Sequence, residues 1–354
     1  MKPETFHIIG GGIAGLASAI AVANTGHMAV VLEKAVKFED VGAGLQLGPN
    51  AVRALQQLGA WDAVSAITTS PVEIHIRNGV NGKSLKRIAL GKSFENRFGM
   101  PYRVAHRSDL VQALLQVARS KSNITIQTNS EVIDFTKHKN VIAADGVWSK
   151  TRQALFPNSA AKVTSEIFYR ALVDNLSSSS VTLWLYPGGH VVQYPIGNPA
   201  KLNLVAITQG QIPQIHFANA CDELKEILAQ VSQFTTWPAA FVLPLKRWNQ
   251  GTVTLIGDAA HGTLPYLAQG AAMALEDAAA LGGLLLTSTG ISQTFDRLSN
   301  LKLPRSRKLH QQTLMSGQIY HLAEPMSIIR NAALKFTPNS FVLNSLAWLY
   351  KNKG

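Results

Sequence analysis

The stretch FHIIGGGIAGLASAIAVANTGHMAVVLEK, residues 6–34, decides the fold. Phe6–Ile9 is a short apolar run, a glycine cluster follows, Ile13–Asn24 carries helix-favouring alanines and aliphatics, and Ala29–Leu32 is a second apolar run. That order predicts a strand, a helix and a second strand. Gly10, Gly12 and Gly15 stand in the GxGxxG spacing between the first strand and the helix. Gly10 permits a tight turn, Gly12 lets backbone approach a pyrophosphate, and Gly15 lets the helix lie close to the strand, while the helix N-terminus favours phosphate charge. Glu33 closes the second strand, where a carboxylate can accept hydrogen bonds from ribose hydroxyls. A purely structural glycine turn has the same spacing, but the strand, helix and terminal acid together favour a dinucleotide site. An acid at this point suits the ribose of FAD or NAD and opposes a 2′-phosphate, so the bound dinucleotide is not expected to be NADP.

Outward from this unit the pattern changes. Val72–Arg77 and Ser84–Leu90 alternate like strands around the turn signals Asn78-Gly79 and Asn81-Gly82, which predicts an antiparallel hairpin in a different sheet. Asp109–Lys121 reads as an amphipathic helix, and Ile124–Gln127 and Asn140–Ala144 as short strands. Phe168–Ile207 reads as strands broken at Pro187-Gly188-Gly189 and at Gly197-Asn198-Pro199. After Gly251 a buried strand, Thr252–Ile256, leads through a loop to an alanine-rich helix from about Gly270 to Leu286, and Ile291–Trp348 reads as helical. Dinucleotide-binding elements thus lie at both ends of the chain around a β-rich insertion.

Composition limits the function classes. The 354 residues are enough for two interleaved domains, and 46% hydrophobic against 15% charged residues excludes a disordered adaptor. Cys221 is the only cysteine, which rules out an intramolecular disulfide and a cysteine zinc site, fits a reducing compartment and so implies a cytoplasmic location; no metal is expected. The apolar stretch Ile8 to Ala23 is dense in glycine and lacks a basic flank beyond Lys2, so it reads as core and not as a targeting signal. Nothing else approaches the roughly 20 apolar residues of a membrane span, so no membrane partner is expected. The net charge of +12 favours anionic partners. Its basic clusters, Lys83–Lys92, Lys137–Lys139 and Lys302–His310, lack interleaved aromatics and read as solvated faces, not as a nucleic-acid surface.

Two further motifs follow in order. Asp145-Gly146-Val147-Trp148-Ser149 continues to Arg152, and Gly257-Asp258-Ala259-Ala260-His261 continues through Ala268-Gln269-Gly270-Ala271-Ala272-Met273. In each, a buried strand ends in an aspartate and small residues lead into a helix, a geometry that offers a hydroxyl-binding carboxylate and free backbone N–H groups. With the glycine turn, these motifs make the sequence resemble the FAD-dependent aromatic hydroxylases of the para-hydroxybenzoate hydroxylase type. Within that family it resembles the branch of salicylate hydroxylase, 3-hydroxybenzoate 6-hydroxylase and 6-hydroxynicotinate 3-monooxygenase. The resemblance is carried also by GAGLQLGPNAVRAL at Gly42–Leu55, HRSDL at His106–Leu110 and FYRAL at Phe168–Leu172.

The resemblance implies an α/β fold: a Rossmann-like FAD-binding domain of the glutathione reductase type with an inserted β-rich substrate domain and C-terminal helices. Residues 1–71, 98–165 and 250–310 would form the FAD domain, 72–97 and 166–249 the substrate domain, and 311–354 a helical segment. It implies FAD bound non-covalently, NADH or NADPH as transient co-substrate, and dioxygen converted through a flavin C4a-hydroperoxide to hydroxylate a small aromatic acid. A homodimer is implied by resemblance alone. By similarity, Gly10, Gly12, Ala14 and Gly15 lie at the pyrophosphate, Glu33 and Lys34 at the adenosine ribose, and Gln46 near the ring system. Arg107, Asp145 and Asp258 reach the cofactor, and Gly270, Ala271 and Ala272 offer backbone N–H groups to the flavin.

His190 and Tyr194 are four residues apart on a strand and so share a face. By resemblance His190 is the base for a substrate phenol, Tyr194 positions the substrate and Tyr266 lines the same pocket. His261, Glu276 and Asp277 read as structural. The family commonly has glycine at Ala143, proline at Gly262 and a histidine at Gln193, so an altered pocket is one expectation. A flavin-binding redox sensor and an NAD(P)H oxidase are the competing readings.

Overall fold

The computed structural model describes residues 2–38, 44–174, 178–197 and 201–351. Two sheets organise it. The first has the order β14 (Asn249–Gln250), β15 (Val253–Leu255), β8 (Val141–Ala143), β1 (Thr5–Ile9), β2 (Met28–Leu32) and β7 (Ile124–Gln127). All its neighbours are parallel except the β14 edge. A parallel sheet is covered on both faces, so its strands are continuous apolar runs such as VIA and MAVVL. One buried cluster joins Phe6, Ile8, Val31 and Ile142 to Leu281, Leu285, Phe295 and Leu298. Chain segments separated by more than 200 residues therefore share one core.

The second sheet has the order β13 (Thr235–Phe241), β9 (Lys162–Asp174), β12 (Lys201–Thr208), β11 (Gly189–Ile196), β10 (Val181–Tyr186), β4 (Glu73–Asn78) and β5 (Ser84–Ala89). The hairpin expected at residues 72–90 is β4 and β5, and it joins this second sheet by a parallel pairing with β10. A small antiparallel pair, β3 (Gly44–Leu47) and β6 (Arg103–His106), meets the second sheet, with Gly44 N donating to Asn203 Oδ1 of β12 at 2.7 Å. Along β11 the alternation is strict: His190, Val192 and Tyr194 border a large cavity, while Val191 packs with Trp184 and Phe217 on the other face.

Several expectations shift. β9 begins at Lys162, six residues before the expected Phe168, because Val163 and Lys162 pair with Ala240 and Phe241 beyond a register shift at which β9 carries the extra residues. Helices Lys92–Phe98 and Asp222–Ala229 interrupt the middle of the chain, which read as mostly β. The helical C-terminal part is found as Ile291–Tyr320, Met326–Phe336, Asn339–Ser345 and Ala347–Tyr350, and the first of these runs unbroken past residue 310. Gly42 and Ala43 of the GAGLQLGPNAVRAL run, and Asn198 and Pro199 of the second break, lie outside the described residues.

The Gly270–Thr287 helix is long and apolar enough to cross a membrane. Its place in the fold explains that character: Ala272, Leu275 and Ala278 are buried among Leu16, Ile20, Ala51 and Leu55. It also carries Glu276, paired with Arg305, and Asp277, paired with His261. A helix buried on several sides is apolar on several sides, whatever solvent surrounds the protein.

Candidate functional site

The glycine turn has the geometry its spacing requires. Gly10 has φ +99°, and a Cβ there would stand 2.5 Å from the Ala144 carbonyl oxygen. A Cβ on Gly15 would stand 1.9 Å from the Gly10 carbonyl oxygen, so helix and strand meet only because the side chain is absent. Gly12 differs, since a Cβ there meets nothing within 4 Å and the residue borders the cavity. The Glu33 carboxylate accepts from Gly11 N at 2.5 Å and Ala35 N at 2.9 Å, bracing the turn from below.

The other two motifs close on this turn. Gly257 has φ +60°, and a Cβ there would lie 2.6 Å from Ala14 Cβ, which brings the Gly257-Asp258 turn against the N-terminal helix. Asp277 holds it there, accepting from Gly257 N at 3.3 Å and contacting His261 Nε2 at 2.5 Å. Burial pushes the His261 pKa down, but the Asp277 carboxylate outweighs it and the net direction is up. Arg152 staples the segments together: its guanidinium is buried and donates to the carbonyls of Ser159, Ala259, Ala260 and Leu243. Burial alone lowers its pKa to about 10.

These walls open into one cavity of about 410 Å³. Gly12, Ala14, Arg107, Asp258, Gly270 and Ala271 border one part of it, and His190, Tyr194, Arg170, Tyr266 and Tyr320 border the other. The remaining wall is largely aliphatic, from Ile74, Ile76, Leu183, Val192, Val205 and Ile207 on the second sheet. The His190 ring is 5.5 Å from that of Tyr266 and 5.3 Å from that of Tyr320, centroid to centroid. Burial, aided by neighbouring His321, drives the His190 pKa well below its ordinary value, so the imidazole is neutral. Burial raises Tyr194 strongly and Tyr320 to about 12, so both hydroxyls keep their protons.

The chain is matched over residues 4–141 and 137–313 by the family model described as FAD binding domain. It is 31% identical to 3-hydroxybenzoate 6-hydroxylase of Polaromonas naphthalenivorans over 97% of this chain and 94% of that protein. It is also 31% identical to 3-amino-4-hydroxybenzoate 2-monooxygenase of Streptomyces cremeus, over 97% of this chain and 94% of that one. The chain belongs to the FAD-dependent aromatic hydroxylases. Its fold is that of Klebsiella pneumoniae HpxO, whose structure holds FAD and uric acid, with a TM-score of 0.86, 20% identity and coverage of 99% and 98%. FAD is the family's cofactor, and the site fits it. The open Gly12, the uncapped N-termini of Ile13–Asn24 and Gly270–Thr287 and the Arg107 cation all meet at one cavity.

The expected site residues do not all fall on this cavity. Gly12, Ala14, Gln46, Arg107, Asp258, Gly270, Ala271, His190, Tyr194 and Tyr266 border it. Gly10 and Gly15 shape the turn from behind. Asp145 turns aside, accepting from Thr151 N and Oγ1 at 3.2 and 3.1 Å, while its neighbours Ala144 and Gly146 border the cavity. Ala272 is fully buried in the helical core, and Lys34 is exposed beyond the second strand. Tyr266 presents its ring, but its hydroxyl donates to Glu166 at 2.5 Å. Gln193 points through the sheet to Trp184 Nε1, so a histidine at that position would not have faced this cavity. Gly262 lies where a Cβ would stand 2.9 Å from the Asp258 carbonyl oxygen and 3.0 Å from Val147, a close seam between the two aspartate motifs.

Sequence reasoning missed Arg170, Tyr102, Tyr320, Glu166 and His321. Arg170 sits inside the FYRAL run, and its Nε is buried without a partner among the described residues. Tyr102 donates to Gln46 Oε1 at 2.5 Å and fixes that amide.

Proposed function

We propose that this hydroxylase acts on a small aromatic acid carrying a ring hydroxyl, with NADH or NADPH as reductant and dioxygen as the oxygen source. The observation that supports this reading best is the single cavity shared by the glycine turn, the Asp258 turn and the His190–Tyr194 face. The relatives named for hydroxybenzoates support the substrate class. In this reading Gly12, Ala14 and Arg107 hold the pyrophosphate end of FAD, Asp258 a hydroxyl of its linker, and the backbone N–H groups at Gly270 and Ala271 the electron-accepting end of the ring. Glu33 keeps the turn in shape, and Gln46 stands beside the ring system. FAD supplies the electron transfer and oxygen activation that no side chain provides.

The chain's own residues bind, orient and deprotonate. Arg170 is a cation in the His190–Tyr194 part of the cavity, paired across the sheet with Val205 of the aliphatic wall, where burial lowers its pKa and Tyr194 supports the charge. An aromatic carboxylate is its natural partner, since a guanidinium pairs with a carboxylate by two parallel hydrogen bonds. Tyr194, protonated, donates to the substrate, and neutral His190 takes the ring hydroxyl proton, which enriches the ring carbons in electrons. The aliphatic wall keeps water from the reacting atoms. Cytoplasmic residence and a homodimer belong to the same proposal.

The test is a panel of hydroxybenzoic and hydroxypyridine carboxylic acids given to the FAD-loaded protein with NADH or NADPH. Product detected by mass in step with coenzyme oxidation is the expected result. Bound flavin with no substrate-stimulated product across the panel supports the sensor reading instead, and coenzyme oxidation that yields only peroxide supports the oxidase.

A further inference from the structure

Behind His190, away from the cavity, two polar side chains continue in line. His190 Nδ1 lies 2.8 Å from His321 Nε2. His321 Nδ1 lies 3.3 Å from Glu166 Oε1, and the other Glu166 oxygen accepts from the Tyr266 hydroxyl at 2.5 Å. His190, His321 and Glu166 come from β11, from the end of the Ile291–Tyr320 helix and from β9, so only the tertiary fold assembles them. His321 is fixed from two directions: its backbone N–H donates to Gly317 O and its carbonyl accepts from Gly188 N in the turn before β11. Arg330 also donates to the Ile319 and Tyr320 carbonyls at the same helix end.

We propose that Glu166 and His321 are positioning residues that set the tautomer of His190 and take up the proton it abstracts. The proposal rests on the reading of His190 as the base. A carboxylate only accepts, so His321 must present N–H at Nδ1 and a lone pair at Nε2. His190 must then donate from Nδ1, which leaves its Nε2 unprotonated, and no other described residue engages that nitrogen. The nitrogen opposite the bonded one is the base, because the hydrogen bond on one side of an imidazole decides the protonation of the other.

The same line answers a difficulty of charge. A fully buried imidazole beside another histidine holds a proton poorly, and burial is the first cause of the low His190 pKa. The proton therefore moves one ring outward. The substrate hydroxyl gives its proton to His190 Nε2 as His190 Nδ1–H passes to His321 Nε2. The products are a substrate oxyanion, a neutral His190 and a His321 imidazolium paired with the Glu166 carboxylate. Burial raises the Glu166 pKa, but its hydrogen bonds with His321 and Tyr266 outweigh that, so the carboxylate stays ionised to receive the pair.

Nitrogen-15 NMR of labelled histidine in the FAD-loaded protein tests this without any substrate, with His190 assigned by its absence in His190→Asn. The expected spectrum has His190 protonated at Nδ1 and bare at Nε2. In Glu166→Leu the acceptor is gone and the His190 proton should shift to Nε2, while Glu166→Gln, whose amide oxygen still accepts, should restore the original pattern. If Glu166→Leu fails to retain flavin, His321→Leu serves in its place with the same shift expected. A wild-type His190 protonated at Nε2, or a pattern unmoved by both leucine variants, overturns the relay. The base reading fails by a different result, undiminished product formation in His190→Asn, which the tautomer spectra do not measure.

Discussion

The base role proposed for His190 rests on placement more than on residue type. Burial lowers its affinity for protons, so its neutral form persists at pH values where an exposed histidine is already half charged. The sign of the pH effect follows: with the folded pKa under 6.5, kcat/KM should stay level as pH falls through about 6.5 and decline only below it. Initial rates of product formation between pH 5 and 8 check this, and an acid limb centred at or above about 6.5 contradicts it. His190→Ala should retain FAD yet lose about 10²–10⁴-fold in hydroxylation, since the proposed base lies on the second sheet and the proposed cofactor cradle on turns of the first. Turnover matching wild type would remove the assignment. His190 and Tyr194 were legible because a strand repeats every two residues and a spacing of four keeps one face. Glu166 and His321 were not, because they meet His190 across β9 and a helix end 131 residues away, and no local pattern encodes that meeting.

At the scale of elements, what the sequence revealed was the backbone demand of the glycines. Gly10, Gly12 and Gly15 each have a distinct task, and two substitutions separate them. Alanine at Gly15 drives a Cβ to 1.9 Å from the Gly10 carbonyl oxygen, a backbone atom that cannot swing aside. The helix must lift from the strand, at a cost of about 1–3 kcal/mol, which displaces the helix N-terminus from the cavity. Alanine at Gly12 meets no protein atom within 4 Å, so only an incoming pyrophosphate is obstructed. Gly15→Ala should therefore lower both thermal stability and flavin content, and Gly12→Ala flavin content alone. Melting of the flavin-stripped proteins and flavin per chain after gel filtration distinguish the two. Equal stability losses would contradict the division of labour. The staple of Arg152 onto four carbonyls was hidden for the opposite reason: an arginine carries no spacing that announces burial, and its partners lie up to 108 residues away.

The whole molecule gathers buried and half-buried imidazoles well beyond the site. His27, His75, His138, His190, His216 and His310 all have pKa values pushed down, in each case first by burial. His27 shows the mechanism plainly, since its Nδ1 accepts the Glu4 N–H at 3.0 Å and a proton there would break that bond. Unfolding releases these rings to water, where they take up protons near pH 6.5. Below that pH the unfolded chain binds more protons than the folded one, so stability is lost as pH falls from about 6.5 toward the depressed folded values. The slope is at most about 1.4 kcal/mol per pH unit for each fully buried ring, and less for the half-exposed ones. His261 acts in reverse, because Asp277 raises its folded pKa: its contribution is complete below about 6.5 and fades as pH rises through the folded value. Six rings oppose one, so the net direction is acid lability. Melting temperature of the FAD-loaded protein should fall as pH drops from about 6.5 to 5.5, and His190→Gln, which removes the most deeply shifted ring, should flatten that fall. A melting temperature that is level or rises over this interval would mean that the rings charge in place, and that the aliphatic wall admits the water it is proposed to exclude.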